Sequence, residues 1–162
     1  MKYVWNCMWL IVPIVWMNLA LASRLPEAYQ PGVFWREVPQ WIALGENITR
    51  IAVFLAPLLM PLQIVNSRQR AGLALYTLGV LVYFLAWAMQ IWFPRTEWSQ
   101  SPLGFMAPGY TPAVWLAGIA LIGETFYFGK IYRPWMFLTL SLIFLAFHNA
   151  HAWAVYSRIH QH

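Results

Sequence analysis

The stretch 44-LGENITRIAVFLAPLLMP-61 decides the fold class, because it has the length and apolar content of a helix that crosses a membrane. Within it, Glu46 and Arg50 lie four residues apart, about one helical turn, with Asn47 between them. Charged side chains are costly inside a bilayer and mark candidate functional sites there. The rest of the chain decides whether these charges have partners inside a helical bundle.

The composition places the chain among integral membrane proteins. Hydrophobic residues make up 61% of its 162 residues and charged residues 9%, well outside the range of soluble domains. The single cysteine, Cys7, excludes an intramolecular disulfide and any cysteine-based metal cluster. The sequence contains no aspartate, so Asp-rich motifs that hold magnesium and a diphosphate cannot be built. No pattern resembles a nucleic-acid-binding module.

Five windows have the roughly 20 mainly apolar residues that a spanning helix needs. They cover residues 3–22, 41–65, 71–93, 112–129 and 134–156. Turn-forming and charged residues separate them, in two short connections and two long ones, the latter at 23–40 and 94–112. We therefore predict an all-α integral membrane protein: residues 1–162 form one transmembrane domain, a bundle of five transmembrane helices with two longer outer-face loops.

The distribution of Lys and Arg predicts the orientation. The N-terminal side collects Lys2, Arg68, Arg70, Lys130 and Arg133. Glutamates at 27, 37 and 97 offset the arginines at 24, 36, 95 and 158 on the other side. We predict a bacterial inner membrane or an equivalent one, with the N-terminus cytoplasmic and the C-terminus outside. The long outer loops, rich in Pro, Trp and Tyr, are expected to fold over the helix ends as a lid.

Four polar side chains on the second and fifth predicted helices share a depth. At about 1.5 Å per residue, Glu46 lies about 8 Å and Arg50 about 14 Å below the outer end of the second helix. On the fifth helix, His151 lies about 8 Å and His148 about 12 Å below the same face. We therefore predict that Glu46, Arg50 and His148 face inward, near one another.

These four residues have competing interpretations. Glu46 and Arg50 form either an i,i+4 ion pair that satisfies itself or a functional pair in which Arg50 keeps Glu46 ionised. His148 and His151 lie three residues apart on one helix face, so they are packing histidines, a metal pair with Glu46 as third ligand, or proton-transfer groups. A histidine beside a carboxylate is the usual acid-base pair near neutral pH. We favour proton transfer and predict no metal.

A polar and aromatic stripe on the third predicted helix extends the candidate site. Tyr76, Tyr83 and Gln90 recur every seven residues, and Trp87 lies one turn from Tyr83. An interhelical packing seam is the alternative interpretation. We predict that the substrate-binding residues are Asn18, Asn47, Arg50, Tyr76, Tyr83, Trp87 and Gln90.

Glu124 lies within the fourth predicted helix, about 18 Å from its outer end. Its neighbours one turn away are apolar or aromatic, and desolvation favours the neutral form of a carboxyl group. We expect Glu124 to be a neutral acid that donates a proton. The alternatives are a neutral side chain hydrogen-bonded to the backbone or a tyrosine, and a pair with Arg50.

Together these features predict an intramembrane enzyme that needs no cofactor. Glu124, Glu46, His148 and His151 would carry out proton-initiated cyclisation or isomerisation of a lipophilic, isoprenoid-like substrate in an aromatic cavity. The scheme is similar to that of small polytopic terpene cyclases and membrane sterol isomerases, and the similarity assigns no residue. The alternatives are a non-catalytic accessory or assembly subunit of a membrane complex, and a transporter of protons or small molecules.

Overall fold

The computed structural model describes residues 4–129 and 131–160, and this part of the chain is helical apart from turns and two isolated β-bridges. Five segments are long and apolar enough to cross a membrane: Cys7–Arg24, Gln40–Leu59, Ser67–Trp92, Pro102–Ile122 and Pro134–His160. The predicted all-helical fold with five helices of spanning length is therefore confirmed. The predicted helix start at residue 3, and Lys2 and Lys130 of the orientation argument, lie outside the described residues.

The α-helices have the following bounds: α1 Val12–Leu21, α2 Pro31–Phe34, α3 Gln40–Leu55, α4 Ser67–Trp92, α5 Glu97–Gln100, α6 Pro102–Tyr110, α7 Pro112–Ile122 and α8 Pro134–His160. Turns of 3-10 helix at Cys7–Leu10 and Ala22–Arg24 flank α1, a third follows α3 at Ala56–Leu59, and a fourth precedes α2 at Glu27–Tyr29. The first, second and fourth spans are thus built from more than one helical segment.

The fourth span lies ten residues earlier at its start than the predicted 112–129, because α6 and α7 form it together. The prolines and glycines of 102–112 resemble a loop in sequence. In the structure, Pro102 and Pro112 lie in the first turns of α6 and α7, where a missing N–H costs nothing. Ser101 caps α6 by accepting a hydrogen bond from Gly104 N at 3.0 Å. Since α7 ends at Ile122, Glu124 lies outside the span.

Two other boundaries differ for local reasons. The predicted second helix, 41–65, is too long: α3 ends at Leu55, and a 3-10 turn follows from Ala56, because Pro57 has no N–H for a continued α-helix. The third helix starts four residues before the predicted position. Asn66 Oδ1 accepts from Gln69 N at 2.9 Å, and Gln69 Oε1 accepts from Asn66 N at 3.2 Å, which is a capping box.

The four later spans pack in the order α4, α6–α7, α8, α3. Close approach of α4 and α7 depends on glycines. A Cβ atom at Gly79 would overlap the backbone of Trp115, and one at Gly118 would overlap the backbone of Tyr76. These small residues let the two helices meet backbone to backbone.

The backbone of α1 stands away from the other spans and is tied to them at a few points. Cys7 N donates to Met60 O at 2.8 Å, Tyr76 Oη donates to Leu10 O at 2.7 Å, and Tyr83 Oη donates to Asn18 Oδ1 at 2.9 Å. The outward face of α1 is open, with Trp16 72% exposed. The opposite face packs into the bundle core through Ile14, which is 1% exposed.

Residues 25–39 fold over the end of the bundle at which α8 terminates, which we call the C-terminal end. Tyr29 Oη donates to Phe105 O at 2.7 Å, and burial raises the pKa of this hydroxyl, which keeps it a donor. Arg158 of α8 donates to the carbonyl oxygens of Val33, at 2.7 Å, and of Arg36. These contacts hold α2 against the final turns of α8.

Candidate functional site

The carboxylate of Glu46 is the centre of a buried cluster that joins α3, α8 and α2. Its side chain is 0% exposed and accepts three hydrogen bonds. Oε1 accepts from His148 Nδ1 at 2.8 Å and from Arg50, and Oε2 accepts from His151 Nδ1 at 2.5 Å. The i,i+4 spacing on α3 and the i,i+3 spacing on α8 bring these side chains to one point.

Both ring nitrogens of His151 face acceptors. Nδ1 meets the Glu46 carboxylate, and Nε2 lies 2.9 Å from the carbonyl oxygen of Phe34. Neither a carboxylate nor a carbonyl oxygen donates a hydrogen bond, so both nitrogens must carry protons for both contacts to form. The rings of Phe34 and Trp35 cover His151 with centroids 4.3 and 4.5 Å away. His151 is therefore fully buried, with an acceptor at each ring nitrogen and two aromatic rings over it.

His148 differs from His151 in what its second nitrogen faces. Nδ1 lies 2.8 Å from Glu46 Oε1, and in the neutral tautomer that donates from Nδ1 the lone pair is on Nε2. The ring stacks on Phe144 with centroids 5.4 Å apart. Its side chain is 22% exposed, and His148 lines a cavity. The carboxylate thus selects the ring tautomer and leaves a base available at the cavity wall.

Arg50 adds a charge that reaches both the cluster and the cavity. Its guanidinium donates to Glu46 and lies over the Trp35 ring, 5.5 Å from the centroid. The Arg50 side chain remains 36% exposed and contributes to the cavity lining. Its unused N–H donors are consequently available to a bound molecule.

Arg50 is the cation of the cluster whose charge does not depend on a tautomer, since a guanidinium stays charged in proteins. No carboxylate other than Glu46 in residues 4–129 and 131–160 is within ion-pair distance of Arg50, His148 or His151. Glu37 pairs with Arg36 instead, at 3.0 Å. One buried carboxylate is therefore shared by three basic side chains.

A cavity of about 370 Å³ lies between α1 and the other spans, next to this cluster. Its polar lining residues are Asn18, Arg50, Tyr83, Trp87 and His148. The rest of its lining is apolar or aromatic: Ile14, Val15, Met17, Leu19, Leu21, Leu25, Phe54, Pro108, Pro112, Trp115 and Phe144. Leu19 both lines the cavity and is largely exposed on the outward side of α1, so the mouth opens beside α1.

The predicted substrate-binding residues divide into two groups. Asn18, Arg50, Tyr83 and Trp87 line the cavity. Asn47, Tyr76 and Gln90 lie elsewhere. Asn47 is exposed, Tyr76 ties α4 to Leu10, and Gln90 is buried and donates to Gly104 O at 2.7 Å. The last two therefore have packing roles, as the seam interpretation of α4 predicts.

Glu124 is not part of the cluster, and the prediction that it lies in apolar surroundings is wrong. It follows α7 at the opposite end of the bundle, where it is exposed. Gln69 Nε2 donates to its carboxylate at 3.0 Å and Asn66 Nδ2 at 3.4 Å. The alternative of a pair with Arg50 is wrong, because Arg50 pairs with Glu46. The error follows from the misplaced fourth helix, which put this residue inside the span.

The cluster is organised by hydrogen bonds. Both histidines direct Nδ1 at a different oxygen of the same carboxylate, and Arg50 occupies the remaining space beside Oε1. A search of the described residues for three or more His, Cys, Asp or Glu side chains arranged to hold a metal ion finds no such group.

Sequence reasoning missed three contributors to the site. Phe34 and Trp35 cover His151, although the sequence alone suggests that Trp35 lies at a membrane interface. Trp115 of α7 forms part of the cavity wall. The adjacent aromatic residues Phe34 and Trp35, at the end of the short 31-PGVF-34 helix, were the sequence signal for this cover, but nothing in the sequence shows that the Phe34 carbonyl reaches His151.

Comparison of the chain with protein-family models, characterised proteins and solved structures finds no match.

Proposed function

We propose that this chain is an integral membrane enzyme that moves a proton within a lipophilic, isoprenoid-like substrate, by isomerising a double bond or by starting a cyclisation. The observation that carries the proposal is the Glu46–His148 pair at the wall of an apolar cavity. A positioned histidine with an orienting carboxylate is an effective general acid-base group near neutral pH. His148 replaces Glu124 as the proton-transfer group, since Glu124 lies at the other end of the bundle.

The proposed orientation places the N-terminus in the cytoplasm and the site near the outer face. Arg68, Arg70 and Arg133 lie near the N-terminal end of the bundle, where the only described acid is Glu124. The arginines at the C-terminal end are accompanied by glutamates. The cavity mouth beside α1 would face the hydrocarbon region, so that a lipophilic molecule enters from the membrane.

The roles of the cluster follow from its hydrogen bonds. Glu46 holds His148 in the tautomer with a lone pair on Nε2, and His151 and Arg50 hold Glu46 ionised and fixed. His148 removes a proton from one carbon atom and returns it to another, so the reaction needs no oxidant, reductant or external group. The aromatic and aliphatic lining excludes water that would otherwise compete for the proton.

A second candidate function is a structural clamp in a non-catalytic subunit. The supporting observation is that the Glu46 carboxylate is fully engaged and links α3, α8 and the Phe34 segment. In that case the cavity next to it would serve packing against a partner protein rather than catalysis.

One experiment distinguishes the enzyme from the structural clamp. Purified protein in nanodiscs is incubated with lipophilic dienes, epoxides, sterols and unsaturated ketones, and products of unchanged mass are sought by chromatography and mass spectrometry. An enzyme converts at least one compound, and His148→Gln loses the conversion. Stoichiometric co-purification with other proteins, and no conversion of any compound, would replace the enzyme with the clamp. His160→Gln is the matched control, because His160 is an exposed residue of the same helix.

A further inference from the structure

The charge at the cavity wall discriminates between the two intermediates that proton transfer can generate. Protonation of an alkene or epoxide gives a carbocation, and removal of a proton beside a carbonyl gives an enolate anion. Arg50 lines the cavity, and no carboxylate is among the described residues that line it. Fixed charges in a site of low polarity act strongly on charge that develops in the reaction.

A cavity wall with a guanidinium and no carboxylate among its described residues opposes a carbocation and favours an anion. The Glu46 carboxylate, in the cluster next to the cavity, has a side chain that is 0% exposed, and its oxygens already accept from Arg50, His148 and His151. It is thus unavailable to stabilise a cation in the cavity. Arg50 keeps unused donors on the cavity side, and these suit an oxygen that becomes negative.

We propose, on the basis of the proposed function, that the substrate is a lipophilic unsaturated carbonyl compound, isomerised through an enolate held by Arg50. His148 Nε2 takes a proton from the carbon between the carbonyl group and the double bond. The C–H electron pair passes into the conjugated system, and the carbonyl oxygen becomes an enolate oxygen beside Arg50. The His148 imidazolium then returns the proton to the far carbon of the diene, which moves the double bond into conjugation with the carbonyl. Atoms and electrons balance within the substrate and His148.

The size of the cavity further limits which substrates fit. A volume of about 370 Å³ lies in the lower part of the range of pockets for small organic ligands, about 300–1,000 Å³. The polar groups Arg50 and His148 come from α3 and α8, whereas Phe54, Phe144 and the α1 side chains provide apolar walls. A compound with one carbonyl group and a compact ring or a single chain fits this division. A two-chain membrane lipid does not.

Three analogues that differ in charge test whether the cavity favours an anionic or a cationic intermediate. The test does not require the natural substrate to be known. Three compounds share an octyl-substituted ring: 2-nitro-4-octylphenol as the enolate analogue, 4-octyl-N,N,N-trimethylanilinium as the carbocation analogue, and octylbenzene as the neutral reference. Binding to protein in nanodiscs of neutral phosphatidylcholine is measured against empty nanodiscs, which removes partition into the bilayer. The visible absorbance of the nitrophenolate reports the ionised form directly.

We expect the phenolate to bind most tightly and the anilinium least tightly. We expect Arg50→Gln to weaken phenolate binding roughly tenfold or more, the effect of losing a hydrogen bond between charged groups. Arg50→Lys, which keeps the charge, should retain part of the affinity and serves if Arg50→Gln fails to fold. Arg70→Gln is the matched control, since Arg70 is exposed at the other end of the bundle. Binding of nonanoate with the same Arg50 dependence, but without isomerisation of any unsaturated ketone, would show a general anion-binding site and would overturn the enolate assignment.

The opposite order, with the anilinium bound as tightly as the phenolate or more tightly, overturns the inference. Conversion of dienes or epoxides by the same protein would then leave the proposed function standing with a cationic intermediate. Failure of all three analogues to bind above empty nanodiscs also overturns the inference. Conversion of an unsaturated ketone at a rate unchanged in Arg50→Lys and Arg50→Gln would do so too, because the enolate would then not depend on Arg50.

Discussion

His148 Nδ1 lies 2.8 Å from Glu46 Oε1, and His148 also lines the cavity. A carboxylate accepts only, so a neutral His148 ring has its proton on Nδ1 and its lone pair on Nε2. The same carboxylate contacts His151, whose second nitrogen lies against the Phe34 carbonyl. Two histidines three residues apart therefore have different hydrogen-bond partners, which predicts different protonation.

This difference is directly measurable by nitrogen-15 NMR of histidine-labelled protein in nanodiscs near neutral pH. We expect one protonated nitrogen for His148, at Nδ1, and two for His151. His148→Gln and His151→Gln assign the signals by their disappearance. Protonation of His148 at Nε2 with a bare Nδ1, or a His151 ring with a single proton, would contradict the hydrogen-bond arrangement.

Glu46→Gln is expected to destabilise the protein strongly. The substitution leaves the charges of Arg50 and His151 without their carboxylate, and loss of one partner of a buried pair costs about 3–5 kcal/mol. The check is the thermal unfolding midpoint in detergent micelles. Glu124→Gln is the matched control, because Glu124 is exposed and accepts only from Asn66 and Gln69 side chains. Equal shifts for the two variants would mean that Glu46 is not a buried charge centre.

Gly118→Ala tests the packing that positions the cavity wall. The added Cβ would overlap the backbone of Tyr76, and overpacking of a close contact typically costs about 1–3 kcal/mol. We expect a lower unfolding midpoint. Gly32→Ala places the same methyl group where no atom lies within 4 Å, so that variant should unfold like the original chain. An unchanged midpoint for Gly118→Ala would show that α4 and α7 do not meet through this glycine.

Reporter fusions after the last residue test the proposed orientation. With five spans and a cytoplasmic N-terminus, the C-terminus lies outside, so alkaline phosphatase fused there should be active in a bacterial host. Green fluorescent protein exported to the same place should be dark. A fluorescent fusion together with an inactive phosphatase fusion would reverse the orientation and move the site to the cytoplasmic side.

Hydropathy predicts the five spans well, because the length and apolar content of a spanning helix are local properties. It fails at residues 102–112, where Pro and Gly suggest a loop. Proline in the first turn of a helix and glycine at a helix contact both favour α6 and α7 instead. The resulting shift of the fourth span is the reason why Glu124 was assigned to the wrong place.

The cluster of Glu46, Arg50, His148 and His151 could be predicted from the sequence, because helical spacing sets both the face and the depth of each side chain. The contact of the Phe34 carbonyl could not be predicted, since a backbone atom carries no sequence signal. Its position depends on how residues 25–39 fold back over α8. That one acceptor distinguishes the hydrogen-bond environment of His151 from that of His148.

The most direct test of proton transfer by the Glu46–His148 pair uses a lipophilic β,γ-unsaturated ketone that carries deuterium on the carbon between the carbonyl group and the double bond, with mass spectrometry and NMR of the conjugated product. Wild-type protein in nanodiscs in H₂O should give conjugated product that retains this deuterium on the far carbon. His148→Gln should be slower by about 10²-fold or more, the effect of losing a general acid-base group, while His160→Gln should match the wild type. Conversion by His148→Gln at the wild-type rate, in protein shown to be folded, would contradict the assignment of His148 as the proton-transfer group.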